Sequence, residues 1–413
     1  MADDTTIVYE ETIEAPVDLI YRAFTTSRGL REWLCDVGAV NPTEGGYICL
    51  AWKHGYYATG HYTHLEPNRA ISFTWIGRDE PGWTQVVVTI TPLEGEKLFR
   101  VKLHHRGVGT SPEWDNARGE ITKGWRLGFE NLKAVLEDGR DLRTMNRPLI
   151  GIFPLDFSLY KDTARESMDI PVDYGVMVLN VVPGFGADKA GIQSDDVIVS
   201  IGGKKIENMA SMFVIIPEYA PGDRISMTVY RGNEQLTFEV DTTPQIFQSL
   251  PSSSEELAKE IESSSTKFLE KLDRVLAGVS EAEAAYSPGP EQWSAKETLV
   301  ECILHERDLQ SWINNMVTDQ DCFCEEMPIH ALFQIRATLT TYPTLNDLIA
   351  ELRRSFKETV ACVAFLDQKF TRKKSSYWRI SYELLEKVLG YEEFVRHIES
   401  TIKLAQKSRS ISK

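Results

Sequence analysis

The chain has 413 residues, 42% hydrophobic and 26% charged, with a net charge of −16. That length exceeds one ordinary hydrophobic core and predicts two or three domains, while the apolar content argues against a disordered chain. The acidic balance predicts that neither nucleic acid nor an anionic membrane is the main partner, since both call for a basic surface.

The N-terminus, Met1-Ala-Asp-Asp-Thr-Thr, shows no basic and apolar leader, and no apolar run approaches the roughly 20 residues that span a bilayer. Six cysteines (Cys35, Cys49, Cys302, Cys322, Cys324 and Cys362) are sparse and fit a reducing compartment better than a disulfide framework. A cytoplasmic location is therefore expected. Cys322 and Cys324 form a Cys-x-Cys pair without a second pair and read as loop thiols.

Residues 7 to about 138 are strand-rich and hold Trp33, Trp52, Trp75, Trp83, Trp114 and Trp125, six of the nine tryptophans. Ile7–Glu14 alternates like a strand and runs into a helix with Pro16 at its first position. Period-2 segments follow at 46–52, 56–64, 70–75, 84–91 and 98–105, each with a turn signal after it. A closing helix sets Trp125, Phe129, Leu132 and Leu136 on one face. His104 and His105 are strand neighbours and point to opposite faces; His61 and His64, three apart, should also face opposite ways. No nucleophile–base set stands out here.

The order Ala15-Pro16, the Trp33 tract, Gly45-Gly46, Gly60, Glu66-Pro67-Asn68, Trp75 and Gly124-Trp125 resembles the SRPBCC (START-like) helix-grip superfamily, in its heat-shock-ATPase-activator-homologue branch. The resemblance implies a cavity between sheet and last helix, lined by Trp33, Trp52, Trp75, Trp125 and Phe129. It would hold a small apolar ligand or a protein client. The residues alone leave a second reading open, in which the same rings simply fill a core.

Residues 147 to about 243 read as short strands punctuated by Gly and Pro. The stretch Gly175 to Ile198, with Pro183-Gly-Phe-Gly-Ala-Asp-Lys-Ala-Gly-Ile192, resembles an HtrA-type PDZ domain. In that family a peptide's C-terminal carboxylate sits on backbone N–H groups of a loop, and the peptide adds as a strand beside it. The matching loop here is Leu149-Ile150-Gly151-Ile152, and the groove helix would be Met209–Ile216, with Met212, Ile215 and Ile216 receiving a hydrophobic last residue. Two departures stand out: Pro217 should end that helix early, and Asp195 takes a position where relatives carry Gly, in a turn that Asp tolerates. Whether the module binds peptide or packs between its neighbours stays open.

Residues 255–407 read as helices at period 3.6, from Leu257, Ile261, Phe268, Leu272 and Val275 onward. Ser294 and Glu297 form a capping box, and amphipathic runs follow at Thr344–Leu366 and Ile380–Gln406. The count and lengths predict a four-helix bundle. Trp293-Ser294-x-x-Glu297-x-Leu299 and the closing His397-Ile-Glu resemble the DinB-like superfamily, whose members often hold a divalent metal with three histidines. The matching positions here are Glu301, Glu393 and His397, with His305 one turn beyond Glu301. Carboxylate and imidazole suit zinc, iron, manganese or nickel. The three-histidine pattern is broken, however, and the same groups also serve as plain hydrogen-bonded contacts.

The expected architecture is thus multi-domain α+β: a helix-grip α/β domain (1–140), a PDZ β-sandwich-like domain (147–243) and an all-α four-helix bundle (252–413). The leading functional reading is a non-catalytic protein that binds a ligand or a peptide C-terminus. A metal-dependent transferase or hydrolase in the bundle and a co-chaperone-like activator of a heat-shock ATPase are the rivals.

Overall fold

The structure, a computed structural model, describes residues 5–52, 55–93, 97–145, 148–159, 169–244, 251–289, 292–319 and 332–411. Its first part is a seven-stranded antiparallel sheet: β1 (Thr5–Glu14), β2 (Val37–Val40), β3 (Tyr47–Ala51), β4 (Tyr57–Glu66), β5 (Ala70–Gly77), β6 (Thr84–Pro92) and β7 (Leu98–Val108), in the order β1-β7-β6-β5-β4-β3-β2. Alternation sets its inner face, as Val86, Val88 and Ile90 of β6 point into the core. Two short helices, α1 (Val17–Thr25) and α2 (Ser27–Trp33), precede β2, and the long α3 (Asp115–Asp138) closes the domain. Ile121, Trp125, Phe129, Leu132 and Val135 of α3 are buried, and Gly139 ends the helix at φ +76°.

Two details correct the sequence reading. Pro16 is the N-cap of α1, with the helix beginning at Val17. His61 and His64 are both exposed, because a bulge sets Tyr62 opposite Phe73 and His64 opposite Ser72. The extra residue restores their common parity. By contrast, His105 is buried and His104 half-buried, as alternation requires.

The second part is a sheet of β9 (Ile152–Asp156), β10 (Val176–Val181), β11 (Val197–Ile201), β13 (Arg224–Arg231) and β14 (Glu234–Asp241), in the order β14-β13-β11-β10-β9. The short β12 (Lys204–Lys205) pairs with β11, and β8 (Pro148–Leu149) pairs with β15 (Thr243–Pro244). It also carries the helices α4 (Gly186–Ala190) and α5 (Met209–Ile215). Pro217 acts as expected: α5 stops at Ile215 and a 3-10 turn, Ile216–Glu218, follows. Asp195 sits in the left-handed region at φ +70°, its N–H bonded to Val178 O at 2.8 Å.

The third part is helical: α6 (Ser254–Leu276), α7 (Ala295–Val317), α8 (Leu332–Thr341), α9 (Leu345–Ala364) and α10 (Lys374–Ile411). Capping fixes the starts. Ser253 caps α6, and Ser294–Glu297 and Thr344–Asp347 form reciprocal boxes at α7 and α9. The last helix runs 38 residues and begins six before its apolar pattern does.

The chain divides into two compact units, Met1–Gly139 with Ser249–Lys413, and Arg140–Gln248. The sheet domain and the helical bundle therefore form one body, joined by an ionic network. Arg22 of α1 donates from Nη1 to Glu32 Oε2 (2.8 Å), and from Nη2 and Nε to the Asp319 carboxylate (2.6 and 3.1 Å). Lys373 adds a 2.5 Å contact to Asp319, and the Ser376 hydroxyl donates to Glu32. Arg372 pairs with Asp18, and Lys374 donates to the Glu137 carbonyl. Arg22 and Lys373 are only 10% exposed, Glu32 5%. Burial opposes the charge on Arg22, but Glu32 and Asp319 outweigh it and raise the guanidinium's pKa. Burial likewise disfavours the Asp319 carboxylate, yet the hydrogen bonds and charges of Arg22 and Lys373 hold it below the usual range.

Removing one member strands the others in a site poor in water. Arg22→Ala is expected to lower the unfolding free energy by about 3–5 kcal/mol, measured by urea denaturation with tryptophan fluorescence. Arg22→Lys, lacking the planar fork, should recover only part of that loss. An Arg22→Ala chain as stable as the parent would show the network to be a surface ornament.

Candidate functional site

In the second unit the loop between β8 and β9 is built around Gly151. Its φ is +81°, and a Cβ there would come within 2.1 Å of Phe185 Cβ, so the position admits only glycine without a shift. Ile150 O accepts from Ala187 N–H and Gly151 O from Val182 N–H, both at 2.9 Å, which pins the carbonyls inward. The N–H groups of Ile150 and Gly151 have no acceptor among the described residues. Leu149 belongs to β8, and Ile152 opens β9, whose only sheet partner among the described residues is β10. The Asp156 carboxylate accepts from Met209 N–H and so ties the end of β9 to the start of α5. Beside that edge, Met212 and Ile215 are buried in the domain core and Ile216 is partly buried, while Phe213 and Val214 of the same helix are exposed. Phe153 on β9 is exposed as well.

The interior of the sheet domain is dense with rings. Trp33 lies 5.1 Å from Phe24 and 6.2 Å from Phe129, Trp75 lies 5.6 Å from Trp125, and all five are nearly inaccessible. Trp33 donates its indole N–H to Ala23 O (2.9 Å), Trp52 to Leu34 O (2.7 Å) and Trp75 to Glu80 Oε1 (3.1 Å). Trp52 is half-buried and packs on Tyr56. Trp125 donates to His105 Nδ1 at 2.9 Å, which fixes the tautomer: His105 Nε2 carries the hydrogen and donates to Thr84 Oγ1 at 2.7 Å. Thr84 in turn donates to Trp75 O. A neutral imidazole suits this chain, and burial lowers the His105 pKa to about 4. The histidine is a bridge inside the core.

In the bundle, the proposed metal ligands are placed as follows. Glu301 and His305 are half-buried on α7, with the His305 ring 6.3 Å from that of Tyr391. His397 is exposed, with Nε2 3.2 Å from Trp293 O. The side chain of Glu393, like Cys322 and Cys324, lies outside the described residues. Among the described residues no three His, Cys, Asp or Glu side chains gather as metal ligands.

The buried polar centre of the bundle is Glu306, one residue past His305. It accepts from the Thr359 hydroxyl (2.6 Å) and from the Tyr391 phenol. Burial, then Glu306, pushes the Tyr391 phenol well up, and burial pushes the Cys302 thiol up too, which makes that thiol a poor nucleophile. The sequence reading missed Glu306, although a signal existed: it falls within the apolar stripe Cys302, Ile303, Leu309, Ile313. A surface groove of about 520 Å³ opens between α6 and α9, beside Ser265, Leu269, Arg353, Phe356 and Val360. Among the described residues no helix is long and apolar enough to cross a membrane.

Fold and geometry define a chain carrying an SRPBCC helix-grip domain and a PDZ domain. Residues 14–137 match the family described as Activator of Hsp90 ATPase homolog 1-like protein, and residues 149–242 match the PDZ domain family. Curated relatives include the periplasmic pH-dependent serine endoprotease DegQ of Escherichia coli, 25% identical over 174 residues (40% of this chain, 37% of that protein). Others are the putative serine protease HhoA of Synechocystis sp., 26% over 146 residues (31% and 36%), and a probable periplasmic serine endoprotease DegP-like of Hahella chejuensis, 31% over 158 residues (38% and 33%). The chain spans about a third of the length of these relatives. Similar solved structures include the Aha1 dimer from Colwellia psychrerythraea (22% identity, 33% of this chain and 98% of that one, TM-score 0.29). An HSP90 activator from Plasmodium falciparum is another (21%, 32% and 95%, TM-score 0.28).

The His105 bridge predicts a pH signature. Its folded value of about 4 lies below the 6.5 of an open chain, so the unfolded state takes the proton first as pH falls. The stabilisation is complete above pH 6.5 and declines towards pH 4, by an amount on the order of 3 kcal/mol. Urea unfolding at steps across that window should show the decline, and His105→Gln should flatten it.

Proposed function

We propose that this protein is a non-catalytic binder whose PDZ domain takes the C-terminus of a peptide or protein. The carboxylate would rest on the N–H groups of Ile150, Gly151 and Ile152, and the preceding residues would add as a strand along the free edge of β9, opposite α5. The observation that carries this reading is the pair of N–H groups at Ile150 and Gly151 that have no acceptor among the described residues, at the head of a strand edge with no partner among them, in a loop turned by a left-handed glycine. Backbone N–H groups that converge without an acceptor favour an anion.

A second reading is favoured by the ring-filled interior of the helix-grip domain. With Trp33 against Phe129 and Trp75 against Trp125, all four buried, that domain would act through its outer surface on a protein client, as a co-chaperone of a heat-shock ATPase does, rather than by holding a small molecule. Co-purification of the full chain with such an ATPase, quantified by calorimetry, tests it; no saturable heat counts against it.

For the PDZ reading, the full chain is titrated by fluorescence anisotropy with a library of peptides ending in hydrophobic residues. Binding is expected to need the free carboxylate, and amidating the terminus should weaken it by about tenfold or more. Gly151→Ala, which drives a Cβ into Phe185, should do the same. Equal binding of amidated and free peptides would overturn the reading.

A further inference from the structure

The free edge of β9 is interrupted by Pro154, and the main-chain geometry shows which way that residue faces. There are no cis peptide bonds among the described residues, so each peptide plane points its C=O and the following N–H in opposite directions. Gly151 C=O accepts from Val182 N–H on the β10 side; the N–H of Ile152 therefore points to the free edge. At the other end, Phe157 N–H donates to Gly175 O at 3.0 Å, again on the β10 side, so Asp156 C=O points to the free edge. Between these two fixed planes β9 is extended, and alternate residues share an edge. Ile152, Pro154 and Asp156 thus present their main-chain groups outward, and Phe153 and Leu155 present theirs to β10.

The partner strand agrees. Val178, opposite Pro154, spends its N–H on Asp196 O and its C=O on Asp195 N–H, both at 2.8 Å, and asks nothing of Pro154. The proline therefore takes no bond from the domain's own sheet and sits where edge strands tolerate one. What it removes is a donor from the outer edge. An incoming strand can exchange two bonds with Ile152 and two with Asp156, but at Pro154 it can only donate.

We infer that this groove recognises the very end of a peptide, its carboxylate and last two or three residues, because Pro154 breaks the ladder that a longer strand would build on β9. The inference rests on the peptide-binding reading above. With the carboxylate at Ile150–Ile152, the last residue donates to Ile152 O. The third-from-last residue donates to Pro154 O while its own carbonyl finds no N–H, so residues further upstream are held by no continuous ladder. The ligand class is then a short free C-terminus with a hydrophobic last residue and little constraint upstream.

The test uses the full chain and the tightest peptide of the screen above, acetylated and cut to three and six residues. Dissociation constants for wild type should agree within about threefold, and Pro154→Ala, which restores one N–H, should tighten the six-residue peptide by about three- to tenfold. A six-residue peptide that binds wild type more than about threefold tighter than its three-residue form overturns the inference. So does an unchanged affinity in a Pro154→Ala chain that keeps its melting temperature. If no free-carboxylate peptide binds wild type at all, it is the peptide-binding reading that fails.

Discussion

The join between the helix-grip domain and the helical bundle turns on one guanidinium. Arg22 holds the carboxylates of Glu32 and Asp319 at once, and Lys373 and Ser376 complete their coordination from the bundle side. The partners of Arg22 are separated from it by 10 and 297 residues, so the network exists only when both parts of the unit are assembled. Its energetics are asymmetric: compared with an apolar seam such a cluster gains little, but with one member missing it leaves uncompensated charge in a dry site. The two parts are therefore locked in one register, and the neighbouring contacts, Arg372 to Asp18 and Lys374 to the Glu137 carbonyl, follow that register.

That constraint bears on where binding chemistry can sit. The helix-grip domain spends its aromatic residues and His105 on its own interior, where every indole N–H named above has a partner. The bundle likewise spends Glu306, Thr359 and Tyr391 on one another. The PDZ domain differs. Among the described residues it keeps N–H groups without an acceptor at Ile150 and Gly151 and a strand edge without a partner, in a loop whose carbonyls accept from Ala187 and Val182. Satisfied polar groups make structure, and unsatisfied ones at a surface invite a partner.

Much of this was legible in the residues. Period-2 runs located the strands, the box at Ser294–Glu297 located α7, Pro217 ended α5, and Asp195 entered the left-handed turn. These features are local, set by side-chain alternation, capping oxygens or a ring that fixes φ. The misreading of the His61 and His64 pair was a local rule overridden by one inserted residue. A bulge at Tyr62–His64 returned His61 and His64 to the same side, and the fully buried carboxylate of α7 is Glu306, five residues past Glu301. About 100° of helical rotation per residue is enough to exchange a core position for a rim position.

The sequence by itself determined the kinds of module and most of their element boundaries, because alternation, helical period and caps act between residues a few positions apart. Only the tertiary structure decided that the first and last thirds of the chain are one body, that His105 is a neutral bridge, and that Pro154 turns its missing donor outward. Each of these depends on a partner far along the chain: Asp319 for Arg22, Trp125 for His105, Val178 for Pro154. Burial and hydrogen-bond direction are properties of the packed chain, and no spacing in the sequence carries them.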